Sequence, residues 1–276
     1  MNLRAGKFLL ELDHPLVMGI VNVTPDSFSD GGKFLARDRA IAHGRRLIAD
    51  GADILDIGGE STRPGAAPIS VHEELERVMP VLETLVADGP PISIDTQKTI
   101  VMAAAIKAGA SMVNDVNALL APGAMEACAL NNTAVCLMHK QGTSATMQQA
   151  PDYDDVVAQV TNFLAARAKA CMDVGIAREC ISIDPGFGFG KTLAHNFRLL
   201  RELNVLVALG FPVVTGFSRK ASLGIVTGRA ADDRLAASIT AAVLCAQNGA
   251  TILRVHDVRE TVDALNVLRA ASGQRR

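Results

Sequence analysis

The chain has 276 residues, 49% of them hydrophobic, enough to bury one continuous core as a large α/β barrel or two cores as small domains. Lys+Arg 27 against Asp+Glu 29 leaves it near neutrality, which argues against a broad nucleic-acid or anionic-membrane surface, so an anionic ligand must be met by a local basic cluster. The five cysteines (Cys128, Cys136, Cys171, Cys180, Cys245) show no paired metal spacing, and no apolar stretch approaches the roughly 18 residues of a membrane span, so a reduced cytoplasmic protein without a signal peptide is expected.

Residues 6–13 read as a short strand or hairpin arm, because Phe8, Leu9 and Leu10 run into the turn Asp13-His14-Pro15. A strand-helix rhythm then begins. Strand 16–23 precedes the loop Thr24-Pro25-Asp26-Ser27-Phe28-Ser29-Asp30-Gly31-Gly32 and a helix over 37–49. Strand 53–57 ends in Gly58-Gly59-Glu60-Ser61-Thr62-Arg63-Pro64-Gly65, with a helix over 71–87. Further units pair strand 91–96 with helix 99–108, strand 111–117 with helix 122–130, and strand 134–138 with helix 154–174. In the sixth, Ile181 and Ile183 alternate with Ser182 and Asp184. Pro185 stops the strand, and Gly186, Gly188 and Gly190 free the backbone for close approach to a ligand; a helix follows over 193–203. Strand 212–217 with helical segments to residue 247, and strand 251–255 with a helix through residue 268, complete eight alternations.

Eight such units in about 250 residues predict a (β/α)8 TIM barrel with a short N-terminal strand or hairpin extension, residues 1–276 forming a single domain. A doubly wound open sheet would stop at five or six strands and carry a glycine fingerprint that is missing here. In a closed parallel barrel the apolar positions face the helices, so the residues alternating with them face inward or the mouth. Asn22, Asp56, Asp95, Asn114, Asp184, Arg254 and His256 all hold such positions. Any one of them is more simply a local helix cap or backbone partner; together they define a polar mouth at the carboxyl ends of the strands, where barrel active sites sit.

The last two loops bring Ser218, Arg219, Lys220, Arg254 and His256 beside a helix start, a setting for phosphate or diphosphate, and Arg63 adds a further fork of donors. A solvated loop charge describes Arg219 well and Arg254, inside an apolar strand, poorly. Asp95, Asp184 and Asn114 offer acceptors and an amide to a flat heterocycle with N–H and amino donors. Two carboxylates also serve glycosidases, but the amide and the Lys220 ammonium fit a purine- or pterin-like edge better. No strong metal spacing is present; Asn22 and loop aspartates hold at most a Mg2+ shared with phosphate oxygens. Lys220 is read as a charge and hydrogen-bond donor ahead of a Schiff-base nucleophile. Gly190-Lys191-Thr192 imitates the end of a P-loop, which requires glycine where Pro185 stands, so Lys191 and Thr192 read as a helix start and an ATPase is rejected. Met138 is core or pocket floor, and His139 has no assigned partner.

These stretches, with Ser93-Ile94-Asp95-Thr96, Asn114-Asp115-Val116, Ser218-Arg219-Lys220 and Arg254-Val255-His256-Asp257, resemble the dihydropteroate synthases among the pterin-binding enzymes and span nearly the whole chain. Ser144 departs from the proline frequent in relatives, which bears on loop stiffness alone. The resemblance implies condensation of (7,8-dihydropterin-6-yl)methyl diphosphate with 4-aminobenzoate, giving dihydropteroate and diphosphate on the folate pathway, and sulfonamides as competitors of 4-aminobenzoate. Asp95, Asp184, Lys220, Arg254 and His256 would act in the reaction. Asn22, Thr62, Arg63, Asn114, Met138, Phe189 and Val255 would join them around the pterin diphosphate, with Asn22 on Mg2+. Phe28, Thr62, Arg63, Pro64, Phe189, Ser218 and Lys220 would enclose 4-aminobenzoate and exclude water. The chemistry implied is a dissociative loss of diphosphate followed by attack of the arylamine. A pterin-dependent methyltransferase domain is the alternative, and a non-catalytic pterin-binding barrel a second one. The nearly uncharged run 236–245 makes a homodimer the expected partner state, with small-molecule substrates, no nucleic acid and no membrane.

Overall fold

A computed structural model describes residues 1–23, 33–61, 66–143 and 146–273. The expected positions Phe28, Thr62, Arg63, Pro64 and Ser144 lie outside the described residues. Strands β1 (Asn2–Ala5) and β2 (Phe8–Glu11) form an antiparallel hairpin. The remaining strands are β3 (Leu16–Asn22), β4 (Ile54–Gly58), β5 (Ile92–Asp95), β6 (Met112–Asp115), β7 (Ala134–Met138), β8 (Ile181–Asp184), β9 (Val214–Thr215) and β10 (Ile252–Val255). They make one parallel sheet in the order β8-β7-β6-β5-β4-β3-β10-β9, and a parallel bridge between Ile183 and Val213 joins its two edges. This is the expected (β/α)8 barrel. The seventh strand is shorter than the predicted 212–217, because Pro212 has no N–H for the ladder and Gly216 ends the extended run.

The helices are α1 (Lys33–Ala49), α2 (Val71–Ala87), α3 (Thr99–Lys107), α4 (Ala124–Cys128), α5 (Val156–Asp173), α6 (Leu193–Arg201), α7 (Leu203–Val207), α8 (Ala221–Thr227), α9 (Leu235–Gln247) and α10 (Val258–Ala271). Several starts are fixed by side chains that satisfy otherwise orphaned N–H groups. Ser70 accepts from Glu73 N, Asp155 from Val157 N and Ala158 N, and Thr192 forms a reciprocal capping box with His195. The single predicted helix over 193–203 breaks at Glu202 into α6 and α7, which no proline or glycine announces.

Strand parity divides the apolar residues between two compartments. Val17, Val21, Leu55, Ile57, Ile94, Val113, Leu137 and Ile183 face outward into the core shared with the helices. Met18, Ile54, Met112, Ala134, Cys136, Val214 and Ile252 fill the barrel interior, where Leu3, Ala5 and Leu12 close its lower end. The hairpin is fastened there by Gly6 N donating to Asn132 O at 2.8 Å. The interior is therefore apolar below and polar above, and ligand access is confined to the upper mouth. A groove of about 640 Å³ at the lower end, near Pro15, Asp53 and Asn266, carries none of the expected site residues. Among the described residues no helix is long and apolar enough to cross a membrane, and all five cysteines are free and buried.

Leu3 is fully buried in the plug. Leu3→Ala is expected to cost about 3 kcal/mol of unfolding free energy by urea titration, through lost burial and the cavity left behind, while ligand binding at the opposite end stays within twofold of wild type.

Candidate active site

The mouth is assembled from strand ends whose inward positions lie level across the barrel. Asp95 is in register with Asn114 and Gly58, Asp56 with Ser93 and Ile20, and Met138 with Asp184. From β10, Arg254 reaches into this ring. Its Nε donates to Asp56 Oδ2 at 2.6 Å and its Nη2 to Asp95 Oδ2 at 2.7 Å. Asn114 Nδ2 donates to the same Asp56 oxygen at 3.1 Å, so the amide nitrogen is engaged below. The acceptors and the cation expected at one polar mouth are thus in direct contact. Asp56, which sequence parity placed inward without a role, is the residue that joins them. It is fully buried and its Oδ1 has no hydrogen-bond partner among the described residues.

Burial lowers the Arg254 pKa, but the two carboxylates outweigh it and hold the guanidinium firmly charged. Asp95 is pushed up to about 7 by burial, with Arg254 pulling it down and Asp56 pushing it up. Asp184 is pushed up to about 6 by burial, against its bond from Gly186 N (2.7 Å) and the nearby Lys220, Arg254 and Lys191.

Lys220, at the N-cap of α8, places its Nζ 4.1 Å from the centre of the Phe189 ring, a cation–π contact. Its stem passes Gly188, where an added β-carbon would lie 3.3 Å from Lys220 Cδ. Phe189 joins Met138, Val116 and Met147 in a small apolar cluster of its own at the mouth. Beside it, Ser218 Oγ and His256 Nδ1 lie 3.1 Å apart, and Ser218 Oγ also accepts from His256 N at 3.3 Å. Burial, Arg254 and Arg219 push His256 down to about 3, so its imidazole is neutral at pH 7. Asn22 ends β3 exposed, and its side chain forms no hydrogen bond with a described residue.

Four expectations are corrected. Val255 packs outward among the helices, because it alternates with Arg254 and His256, so it has no side chain in the mouth. Arg219, expected as a solvated loop charge, forks onto Asp257 through Nε (3.1 Å) and Nη2. Gly186 and Gly190 serve the neighbouring chain rather than a ligand: β-carbons there would lie 2.0 Å from His139 O and 2.4 Å from Gln141 O. Thr192 does begin a helix, but the Lys191 side chain turns inward, 2% exposed, and meets His139.

One arrangement has no sequence signal. Lys98 Nζ lies between Glu60 Oε2 (3.0 Å) and the buried Glu74, while Glu60 Oε1 accepts from Ile69 N at 2.9 Å. Glu60 thereby ties together the two ends of the loop that carries residues 62–65.

Only Asn22 of the described mouth offers an exposed, uncommitted oxygen, and the described residues hold no group of three or more His, Cys, Asp or Glu arranged for a metal. Such a donor set fits Mg2+ as an ion shared with substrate phosphates, not as one caged by protein.

Comparison with known proteins places this geometry. The pterin binding enzyme family matches residues 18–256. A dihydropteroate synthase of Escherichia coli (strain K12) is 48% identical over 98% of this chain and 96% of its own length. A Xanthomonas albilineans dihydropteroate synthase solved with 4-aminobenzoic acid superposes with TM-score 0.93 at 54% identity, covering 98% of both chains. The enzyme from that organism in complex with 7,8-dihydropteroate gives TM-score 0.90 at 51% identity over 99% of both chains.

The Asp184 carboxyl has a testable sign. Its folded pKa lies above the unfolded 3.8, so the folded protein keeps a proton that the unfolded chain loses, and stability falls as pH rises from about 4 through about 6. Asp184→Asn keeps an acceptor for Gly186 N and removes the buried charge. It is expected to gain about 1–2 kcal/mol at pH 7, a few degrees in Tm by calorimetry, and to lose binding of the heterocycle.

Proposed function

The chain belongs to the dihydropteroate synthases, within the pterin-binding enzymes, and from that premise we propose that its mouth joins (7,8-dihydropterin-6-yl)methyl diphosphate to 4-aminobenzoate, releasing diphosphate. The observation that carries the reading is the contact of Arg254 with Asp56 and Asp95, and of Asn114 with the same Asp56, in a single mouth that also holds Asp184 and Lys220. A ring whose edge bears N–H and amino donors meets carboxylate and amide acceptors there, while its faces meet Met138 and Phe189. The leaving group points toward the cationic end: Arg254, whose Nη1 neither carboxylate engages, neutral His256 as a hydrogen-bond donor, and Lys220.

The protein's part in the reaction is electrostatic. As the methylene C–O bond breaks, charge grows on the departing diphosphate and is met by groups already fixed in place. The electron-rich dihydropterin carries the methylene cation; the arylamine lone pair forms the C–N bond, and the proton it loses passes to solvent. No strong base is required. Mg2+ held by Asn22 and the diphosphate would supply further neutralisation of the leaving group. The five free, buried thiols accord with a reducing, cytoplasmic setting.

The assembly is a homodimer in this reading. Ile225 and Val226 on α8 and Leu235 and Leu244 on α9 are exposed apolar side chains on consecutive helices. Sedimentation at micromolar concentration should give about twice the 29.0 kDa of the chain; a single species at the monomer mass removes the proposal.

Release of diphosphate on mixing the two substrates tests the activity itself, and its absence with both substrates bound overturns the assignment. Lys220→Ala and Arg254→Ala should each lower kcat/KM by at least about 100-fold, and Arg254→Ala should also destabilise the fold by leaving Asp56 and Asp95 buried without their cation. Near-wild-type turnover in either variant removes that residue from its role. Chelation of Mg2+ should weaken binding of inorganic diphosphate as well as turnover.

A further inference from the structure

Lys191 sits directly beneath the mouth and takes no part in the chemistry described above. Its Nζ donates to Gly186 O at 3.0 Å, Phe189 O at 3.1 Å and His139 O at 3.3 Å, and lies 3.1 Å from His139 Nδ1. Three carbonyls accept only, so an ammonium, with one proton for each, is the form they favour, while burial pulls the Lys191 amine down to about 7 against the pull of Asp184; the His139 imidazole lies beside the same nitrogen. The imidazole is neutral: burial first, then Lys191, pushes it down to about 3. Its other neighbours are aromatic, Phe163 edge-on at 5.0 Å and Tyr153 at 6.0 Å.

The carbonyls belong to two different loops. Gly186 and Phe189 lie in the loop after β8, and His139 is the first residue after β7. Gly186, Gly188 and Gly190 all hold positive φ, between 63° and 79°, so apart from Pro185 and the turn bond from Phe189 N to Gly186 O (3.1 Å) this loop is built on three residues with the widest unfolded freedom. It is nevertheless the segment that presents Phe189, while Met138 on β7 lies opposite in the same apolar cluster. Tyr153 Oη on Gly190 O (2.8 Å) and Asn196 Oδ1 on Gly188 N (2.7 Å) fix the loop from outside. The bonds from Lys191 fix it from inside, and they alone in this set reach across to the end of β7.

We propose that Lys191 is a positioning residue for the pterin ring: by tying the β8 loop to the end of β7, its Nζ sets the spacing between Phe189 and Met138 without touching substrate. The inference rests on the reading above that the ring lies between those two side chains.

The test uses the full chain and two probes, 6-hydroxymethylpterin and inorganic diphosphate, with Kd measured by calorimetry. Lys191→Met should raise the pterin Kd at least tenfold and leave the diphosphate Kd within twofold. The double variant Lys191→Met with Phe189→Ala should bind pterin within twofold of Phe189→Ala alone, since the tie acts through that ring. Losses that multiply, or equal weakening of both probes, show general structural damage and overturn the proposal. A Lys191→Met variant with wild-type pterin affinity, beside a weakened Phe189→Ala, overturns the tie while leaving the slot intact. An unaffected Phe189→Ala overturns the slot itself, and the tie with it. If Lys191→Met does not fold, Lys191→Gln, which keeps two N–H donors but loses the charge, carries the same comparisons with a smaller expected rise of at least threefold.

Discussion

The mouth of this barrel depends on one guanidinium. Three carboxylates, Asp56, Asp95 and Asp184, are drawn into a nearly closed ring of strands, where an unpaired charge costs several kcal/mol. Arg254 bridges two of them directly and acts on the third through space. Its planar fork matters as much as its charge, because Nε and Nη2 serve oxygens from different strands at once. A lysine at this position would present a point charge to one partner. The floor beneath the ligand is in this sense an ion cluster locked by geometry, and the acceptors that remain for a ring edge are the ones the cluster does not consume.

That cluster exists because the barrel separates its two ends. Below, the hairpin residues Leu3, Ala5 and Leu12 pack on the lower layer of inward side chains and seal the interior with apolar contact. Above, the next inward layer is polar and carries Asp56, Asp95, Asn114, Asp184 and Arg254. The same period of two that sends Leu55 and Ile57 to the helices sends Asp56 to the centre. Fold and site therefore come from one alternation, and a register slip of one residue in β4 would exchange a core aliphatic for the carboxylate that anchors Arg254.

This is why so much was legible in the sequence. Period-two alternation marks inward positions without any contact being known, and it placed Asp56, Asp95, Asn114, Asp184 and Arg254 correctly in one mouth. It also contained the correction to Val255, whose neighbours Arg254 and His256 already claimed the inward parity. What it does not contain is the identity of backbone partners. Lys191 binds carbonyls of residues 139, 186 and 189, and a carbonyl carries no residue type, so the string Gly190-Lys191-Thr192 read as a failed P-loop and a helix start. Long-range side-chain pairs are equally silent: Arg219 with Asp257 and Lys98 with Glu60 and Glu74 join segments that no spacing relates. Gly186 and Gly190 were read as freedom toward a ligand when they are the condition for two loops to lie backbone against backbone.

The pKa values of the mouth explain a further tension. At neutral pH Asp184 is ionised at a position where burial favours its protonated form, so its charge holds the fold below the stability the same chain would have without it. A ring that donates N–H groups to the carboxylate returns part of that free energy on binding, because it replaces lost water with directed donors. His256 runs the same logic in reverse. Burial and two neighbouring guanidinium groups keep it neutral against the pull of Asp257, and an anion placed beside it would favour its charged form. The pKa values of the carboxylate and the imidazole are thus displaced in opposite directions, each at the expense of its charged form, and a ligand with donors at one end and an anion at the other would offset both.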